Sequence, residues 1–118
     1  MSIGVDVTNA DSCQAMAQAV LDRYGRIDVL VNTAGVIGPI ETPAQNVSEE
    51  EWDHVLGVNS KGTFLSIKAA LPSMIAAKQG KIVNIAGTSG LRGYKNRVSY
   101  SASKWAVRGI PRTVALEV

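Results

Sequence analysis

The residue pair Tyr100 and Lys104 is the strongest indication of chemistry in this sequence. The two stand four positions apart in Tyr100-Ser-Ala-Ser-Lys104, and positions i and i+4 of a helix lie one above the other on one face. A positive charge beside a phenol favours the phenolate. Tyr100 is therefore a candidate proton donor or acceptor that Lys104 tunes. The alternative is an ordinary helix with a Tyr and a Lys near one face, because this spacing by itself is common.

Four further short motifs precede this pair. In chain order they are Asn32-Thr33-Ala34-Gly35 after an apolar run, Val58-Asn59-Ser60, the run Lys81–Ala86, and Gly90-Leu91-Arg92-Gly93. Together with the Tyr-Lys pair, their order and spacing resemble the short-chain dehydrogenase/reductase family, from about Gly4 to the last residue. The resemblance implies a Rossmann-type sheet and hydride transfer between NAD or NADP and a small-molecule alcohol or carbonyl substrate. The reductases of 3-oxoacyl groups are the subgroup that it suggests first.

The resemblance also implies roles for individual residues. The implied catalytic residues are Tyr100, Lys104 and Asn59, and the implied cofactor-binding residues are Asp6, Val7, Asn32, Ala34, Gly35, Tyr100 and Lys104. By resemblance, Tyr100 passes its proton to the carbonyl oxygen and Lys104 bonds the nicotinamide ribose. Asn59 sits at a helix distortion and holds a water, and Asp6 with Val7 touches the adenine ring.

The residues alone leave plainer interpretations open at three of these places. Asp6 is equally typical of a loop-start hydrogen-bond acceptor. The segment Asn32–Gly35 is also typical of a simple turn that ends a strand. Asn59 is also compatible with a position that faces solvent, although Gly57 and Gly62 favour a helix distortion around it.

Two departures from the family pattern bear on activity. The family's catalytic Ser lies thirteen residues before the Tyr, and that position is Gly87 here. Thr88 or Ser89 is an alternative hydroxyl donor because a glycine-rich loop is permissive, and Gly87→Ser is expected to raise turnover. The family's glycine-rich phosphate turn and its later substrate loop have no counterpart in these residues. The substrate and the choice between NAD and NADP are therefore not readable from the sequence.

Composition narrows the class of protein. The formal net charge is +2 with 46% hydrophobic residues, so neither nucleic acid nor a membrane is an expected partner. A lone cysteine, Cys13, excludes an intrachain disulfide and fits a reducing compartment. With one histidine, His54, there is no case for a metal site. No signal peptide is apparent, and a cytoplasmic location is the expectation.

Hydrophobic patterning divides the chain into three strand–helix pairs. Expected strands are Ile3–Val7, Asp28–Asn32 and Lys81–Ala86, and expected helices are Asp11–Tyr24, Ser48–Lys78 and Ser99–Val118, the last bent or interrupted at Pro111. Alternation of strand and helix predicts a parallel sheet. The predicted fold is a partial Rossmann-type, three-layer α/β/α domain over residues 1–118, truncated relative to the family.

One strand has no obvious neighbour in that fold. In the family's sheet two strands separate the one around Val5 from the one around Val31, and they are not present here. Unpaired strand edges are costly when buried. Val5 therefore either pairs directly with Val31, or a partner fills the gap, or the natural protein is longer.

Two classes of function remain open from the sequence. One is an enzyme fragment of the dehydrogenase/reductase type with impaired activity. The other is a non-catalytic interaction module of the same ancestry. The helices around Val55–Ile75 and Tyr100–Leu116 correspond to the family's subunit interface. Self-association into a homo-oligomer through these two helices is expected in either case.

Overall fold

Two parallel strands form the sheet of this protein. A computed structural model describes residues 1–118, and in it β1 (Val29–Asn32) pairs with β2 (Lys81–Asn84) in a register that matches Val29 to Lys81 and Asn32 to Asn84. The parallel pairing follows from the connection, since parallel strands need a long crossover that is usually helical. Two of the three expected strands and their relative direction are thus confirmed.

Four helical segments accompany the sheet, and two of them lie on one continuous helical run. Their bounds are α1 Ala10–Tyr24, α2 Glu49–Leu56, α3 Gly62–Ala77 and α4 Val98–Glu117. A π-helical stretch, Gly57–Lys61, joins α2 to α3. The chain therefore has the three expected helices, the second with a distortion where the glycines predicted one. Short 3₁₀ turns occur at Ala44–Asn46 and Thr88–Gly90.

Local sequence explains where the helices begin and end. The Asn9 side chain accepts a hydrogen bond from Ser12 N at the start of α1, and Ser48 with Glu51 forms a capping box at the start of α2. These are the side-chain oxygens that satisfy otherwise unpaired N–H groups. Pro111 does not interrupt α4, which continues through it to Glu117.

The predicted first strand is not a strand in the structure. Ile3–Val7 forms no ladder, and Val5 does not pair with Val31. Val5 and Val7 instead pack against a small core between α1 and α3, formed by Cys13, Ala17, Leu65 and Ala69. Val5 and Val7 are only half-buried and Ile3 is exposed. A strand also needs a neighbour to accept its backbone hydrogen bonds, and these residues have none beside them.

The sheet is covered on one face only. Helices α3 and α4 contact β1 and β2 respectively, whereas Val31 (53% exposed) and Val83 (47% exposed) lie on the opposite face in contact with solvent. The expected three-layer arrangement is therefore two layers within residues 1–118. No helix in the structure is both long and apolar enough to cross a membrane.

Close packing of Val7 against α3 generates a stability prediction. A Cβ at Gly62 would lie 2.7 Å from Val7 Cγ2 and 3.1 Å from Val7 Cβ, and a valine side chain has little freedom to move away. Gly62→Ala is expected to lower the free energy of unfolding by about 1–3 kcal/mol, as overpacking does. Urea denaturation followed by circular dichroism measures it.

Gly109 supplies the matched control. It lies inside α4 with no atom within 4 Å of its Cβ position, so Gly109→Ala should raise the free energy of unfolding by up to about 1 kcal/mol through helix propensity. Equal effects of the two substitutions would contradict the packing of Val7 against Gly62.

Candidate active site

The loop after β1, the π-helical stretch and α4 meet at the carboxyl end of the sheet. A Cβ built on Gly35 would lie 3.4 Å from Asn59 Oδ1 and 3.6 Å from Lys104 Nζ. These three residues come from different elements and are distant in sequence. In open α/β sheets this edge is where ligands bind. The structure therefore brings Gly35, Asn59 and Lys104 to one place.

Lys104 is buried beneath the site and held by a backbone oxygen. Its side chain lies on the same face of α4 as Tyr100, with Nζ 5.7 Å from the centre of the Tyr100 ring, and Nζ donates to Ile85 O at 2.9 Å. Only 7% of Lys104 is exposed, and this burial lowers the pKa of its ammonium group. The predicted proximity of Tyr100 and Lys104 is present, with Tyr100 half-buried.

Asn59 is buried and its side chain links two other segments. Its Oδ1 accepts from Val36 N at 2.8 Å, while its Nδ2 donates to Val36 O and to Ser103 Oγ, each at 2.9 Å. With 1% of its surface exposed, the solvent-facing interpretation is wrong. Its main-chain carbonyl also accepts from Thr63 Oγ1 at 2.8 Å.

Ser103 belongs to the site although the sequence did not single it out. It is fully buried, accepts the bond from Asn59 and donates to Tyr100 O at 2.7 Å. One hydroxyl therefore connects Asn59 to the turn of α4 that carries Tyr100. A serine within the predicted helix, next to Lys104, was the available signal, since buried hydroxyls require partners.

The Asn32–Gly35 segment ends β1 and is open to a ligand. Asn32 Nδ2 donates to Asn84 Oδ1 at 2.8 Å and so ties the ends of the two strands together. Ala34 and Gly35 are both exposed. The partner Asn84, at the end of β2, was not foreseen from the sequence.

Asp6 and Val7 lie before α1 rather than on a strand. Asp6 Oδ1 accepts from Thr8 N at 2.9 Å and from Thr8 Oγ1 at 2.7 Å, and the side-chain bond from Thr8, followed by the backbone bond, lowers the pKa of Asp6 below 3.8. Asp6 therefore acts as a hydrogen-bond acceptor at the start of a loop, which was the plainer of its two interpretations. Both bonds use the same oxygen, which leaves Oδ2 free for a ligand.

Gly87 has a backbone conformation that a serine would adopt only with strain. Its φ is +65° and its ψ is −177°, a combination that is essentially restricted to glycine. No atom lies within 4 Å of the Cβ position, so the obstacle is the backbone and not space. The expected gain from Gly87→Ser therefore does not follow, because the backbone would first have to change.

A parallel sheet with helical crossovers and a ligand-accessible carboxyl edge is part of a Rossmann-type α/β architecture. The family model for short chain dehydrogenase matches residues 1–118, and this chain belongs to the short-chain dehydrogenase/reductase family.

Curated relatives support the same assignment. The chain is 40% identical over 118 residues to trans-4-hydroxycyclohexanecarboxylate dehydrogenase of Sinomonas cyclohexanicum, which covers 98% of this chain and 44% of the relative. It is 38% identical to the 3-oxoacyl-[acyl-carrier-protein] reductase FabG of Thermotoga maritima, over 97% of this chain and 46% of the relative. The chain thus spans somewhat less than half the length of these relatives.

Solved structures show the same fold with cofactors bound. An NAD⁺-bound xylitol dehydrogenase superposes with a TM-score of 0.94 at 34% identity, over 98% of this chain and 44% of that one. A metagenomic short-chain oxidoreductase in complex with NADP gives 0.91 at 39% identity, over 99% of this chain and 52% of that one.

The three hydrogen bonds of Asn59 predict a large stability cost for its removal. Asn59→Ala leaves the N–H and C=O of the half-buried Val36 and the hydroxyl of the buried Ser103 without this partner. A loss of about 3 kcal/mol or more in the free energy of unfolding is expected, since each buried unpaired group costs about 1–3 kcal/mol. Chemical denaturation measures it, and Ser103→Ala, expected to cost about 1–2 kcal/mol, serves if the first variant does not fold.

The exposed Asn46 is the matched control for this substitution. Asn46→Ala is expected to change the free energy of unfolding by less than about 0.5 kcal/mol. A similarly small effect at Asn59 would show that its amide does not hold the site together.

Proposed function

We propose that the protein is an NAD(P)-dependent oxidoreductase that transfers hydride between a nicotinamide cofactor and an alcohol or ketone. The observation that carries the proposal is the meeting of Gly35, Asn59 and Lys104 beside Tyr100 at the carboxyl edge of the sheet. This is a proton-donor site next to a backbone that a ligand can approach closely. Residues 1–118 would form one truncated Rossmann-type domain of that enzyme.

The residues present fit a nicotinamide cofactor. A Cβ at Gly35 would lie in ordinary van der Waals contact with Asn59 Oδ1 and Lys104 Nζ, and the bare glycine backbone leaves that space to a planar ligand. Asn32, Ala34 and Gly35 would lie along the cofactor, Lys104 would bond its ribose, and Asp6 with Val7 would meet its adenine. When bound, the nicotinamide supplies or accepts the hydride.

Each of the catalytic residues has a task that its position supports. In the reducing direction the carbonyl oxygen gains electron density as hydride adds to the carbon, and Tyr100 transfers its phenolic proton to that oxygen. Lys104 Nζ lies 5.7 Å from the centre of that ring and would place its positive charge near the oxygen from which the proton leaves. Asn59 acts through Ser103, which fixes the turn of α4 that carries Tyr100.

The relatives suggest which substrates to test first. One is named as a dehydrogenase of trans-4-hydroxycyclohexanecarboxylate and another as a 3-oxoacyl-[acyl-carrier-protein] reductase, and both names describe a secondary alcohol or the matching ketone. Solved neighbours hold NAD⁺ in one case and NADP in another, so the proposal includes both cofactors. A cytoplasmic location is part of the proposal, supported by the free thiol of Cys13.

Replacing the phenol tests the proton-transfer role. Tyr100→Phe is expected to reduce kcat/KM by about 10²–10⁴-fold, the usual size of general acid–base catalysis, while the Kd of NADH or NADPH changes little. Fluorescence titration gives the Kd, and absorbance at the nicotinamide band follows oxidation of trans-4-hydroxycyclohexanecarboxylate or reduction of a 3-oxoacyl thioester.

Tyr24→Phe is the control, since Tyr24 is exposed at the end of α1 and distant in sequence from the site. Equal rates for the two variants would refute the role of Tyr100. Absence of saturable cofactor binding in a folded protein would refute the dehydrogenase function and favour the interaction module.

We also propose that the protein self-associates through α3 and α4. Phe64 (45% exposed) and Trp105 (49% exposed) are large apolar side chains on these helices, and a shallow groove between the helices is lined by Phe64, Leu71, Ile75 and Val114. Burial of such apolar area in a second copy would stabilise a dimer.

Introducing negative charges on the apolar surface tests the assembly. Phe64→Glu and Trp105→Glu are expected to shift the protein to monomer, whereas Tyr24→Glu, at an exposed site on α1, should leave the assembly intact. Sedimentation velocity distinguishes the states. A monomeric wild type at high concentration would contradict the proposal without affecting the catalytic one.

A further inference from the structure

Arg108 lies one helical turn beyond Lys104 on α4 and binds the backbone of another segment. Its Nη1 donates to Gly90 O at 2.6 Å, and its guanidinium carbon lies 5.4 Å from the centre of the Trp105 ring, within the range of a cation–π contact. No carboxylate forms an ion pair with it. The one side-chain hydrogen bond of this half-buried residue therefore joins α4 to the 3₁₀ turn Thr88–Gly90.

Both ends of the segment that leaves β2 lie against Lys104. Near its start, Ile85 O accepts a hydrogen bond from Lys104 Nζ at 2.9 Å. At its end, a Cβ built on Gly90 would lie 2.9 Å from Lys104 O and 3.0 Å from Ala86 Cβ. The segment thus turns back on itself, and it contacts the Lys104 side chain at one end and the Lys104 main chain at the other.

Different bonds hold the two ends of this segment. Ile85 N donates to Asn32 O at 3.3 Å, so the start is tied to the sheet. Backbone N–H groups of the turn bond within the segment itself, and the bond from Arg108 to Gly90 O is the only hydrogen bond that joins the turn to α4. A charged donor makes such a bond stronger than a neutral one does. Besides packing, Arg108 is therefore what holds the far end of the segment on α4.

We propose that Arg108 is a positioning residue for Lys104. By holding Gly90 on α4, it keeps the segment closed over the Lys104 side chain and keeps Ile85 O where it accepts from the ammonium group. This role rests on the proposed hydride-transfer function, in which Lys104 works beside Tyr100. Arg108 acts through Lys104 and is assigned no contact with substrate or cofactor.

A catalytic lysine needs a fixed acceptor because its own side chain does not fix its position. The ammonium group carries three donors at the end of a flexible four-carbon stem. Ile85 O takes one of the three donors of Lys104, which orients the group and leaves two for a ligand. A displacement of about 1 Å at a site of reaction costs about 10²-fold in rate, even when its cause is a distant substitution. Loss of the bond from Arg108 should therefore slow turnover.

Chemical labelling of lysine amines reports on the same segment without any turnover. Lys104 is 7% exposed, whereas every other lysine of the chain is exposed. Acetylation by acetic anhydride, followed by peptide mass spectrometry, should therefore be slow at Lys104 and fast at the other lysines of the wild type. Lifting of the segment from α4 should speed the reaction at Lys104 alone.

Three variants of the whole protein test the proposal. Arg108→Met removes the donors but keeps a long stem, and should speed acetylation of Lys104 by about tenfold, as loss of one charge-assisted hydrogen bond would. It should also lower kcat/KM for trans-4-hydroxycyclohexanecarboxylate by about 10–100-fold. Arg108→Lys keeps a cationic donor and should recover most of both effects. Arg112→Met is the matched control and should change neither, since Arg112 is exposed on the same helix and its side chain bonds only to Arg108 O.

A second variant serves if circular dichroism shows that Arg108→Met does not fold. Gly90→Ala places a Cβ 2.9 Å from Lys104 O and so pushes the turn away from α4 with Arg108 intact. Acetylation of Lys104 should rise in this variant as well. Labelling as slow as in the wild type would contradict the closure of this segment over Lys104.

The outcomes separate the role of Arg108 from the function on which it rests. Slow acetylation of Lys104 in folded Arg108→Met, or an equal rise in Arg112→Met, would overturn the role whatever the activity. Faster acetylation with kcat/KM within twofold of an active wild type would overturn the effect on catalysis. A wild type that turns over neither trans-4-hydroxycyclohexanecarboxylate nor a 3-oxoacyl thioester would overturn the hydride-transfer function, and the labelling would still decide whether Arg108 holds the segment.

Discussion

The side-chain amide of Asn59 holds together the parts of the chain that form the candidate active site. It bonds both backbone groups of Val36, which follows β1, and the hydroxyl of Ser103 on α4. Asn59 itself is buried, and a buried group left without its partner would be costly. This amide therefore links the loop that carries Gly35 to the helix that carries Tyr100 and Lys104.

Asn59 lies in the π-helical stretch Gly57–Lys61. An extra residue in the helical turn is a local distortion, and such bulges are frequent at functional sites. Beyond it the helix resumes as α3, where Gly62 allows Val7 to approach. Residues at and directly after the distortion thus contact two other parts of the chain: Asn59 contacts α4, and Gly62 contacts the segment that precedes α1.

One apolar face of the two-stranded sheet is not covered by any helix of residues 1–118. The helices cover one face, and Val29, Val31, Val83 and Ile85 are exposed on the other. A curated relative aligns in sequence, and a solved neighbour superposes, over 98% of this chain but 44% of its own length. The contacts among Gly35, Asn59, Ser103 and Lys104 nonetheless all lie within residues 1–118.

The sequence by itself determined the family, the two parallel strands, the three helices and the Tyr100–Lys104 pair, since these follow from local periodicity and from motifs at fixed spacing. Only the tertiary structure decided the absence of a strand at Ile3–Val7 and the two-layer sheet, because strand formation depends on a neighbour that a local pattern does not reveal. It also decided that Asn59 is buried, that Ser103 links it to Tyr100, and that the Gly87 backbone disfavours serine. These are matters of long-range hydrogen bonding and backbone angle, which residue types and spacing do not specify.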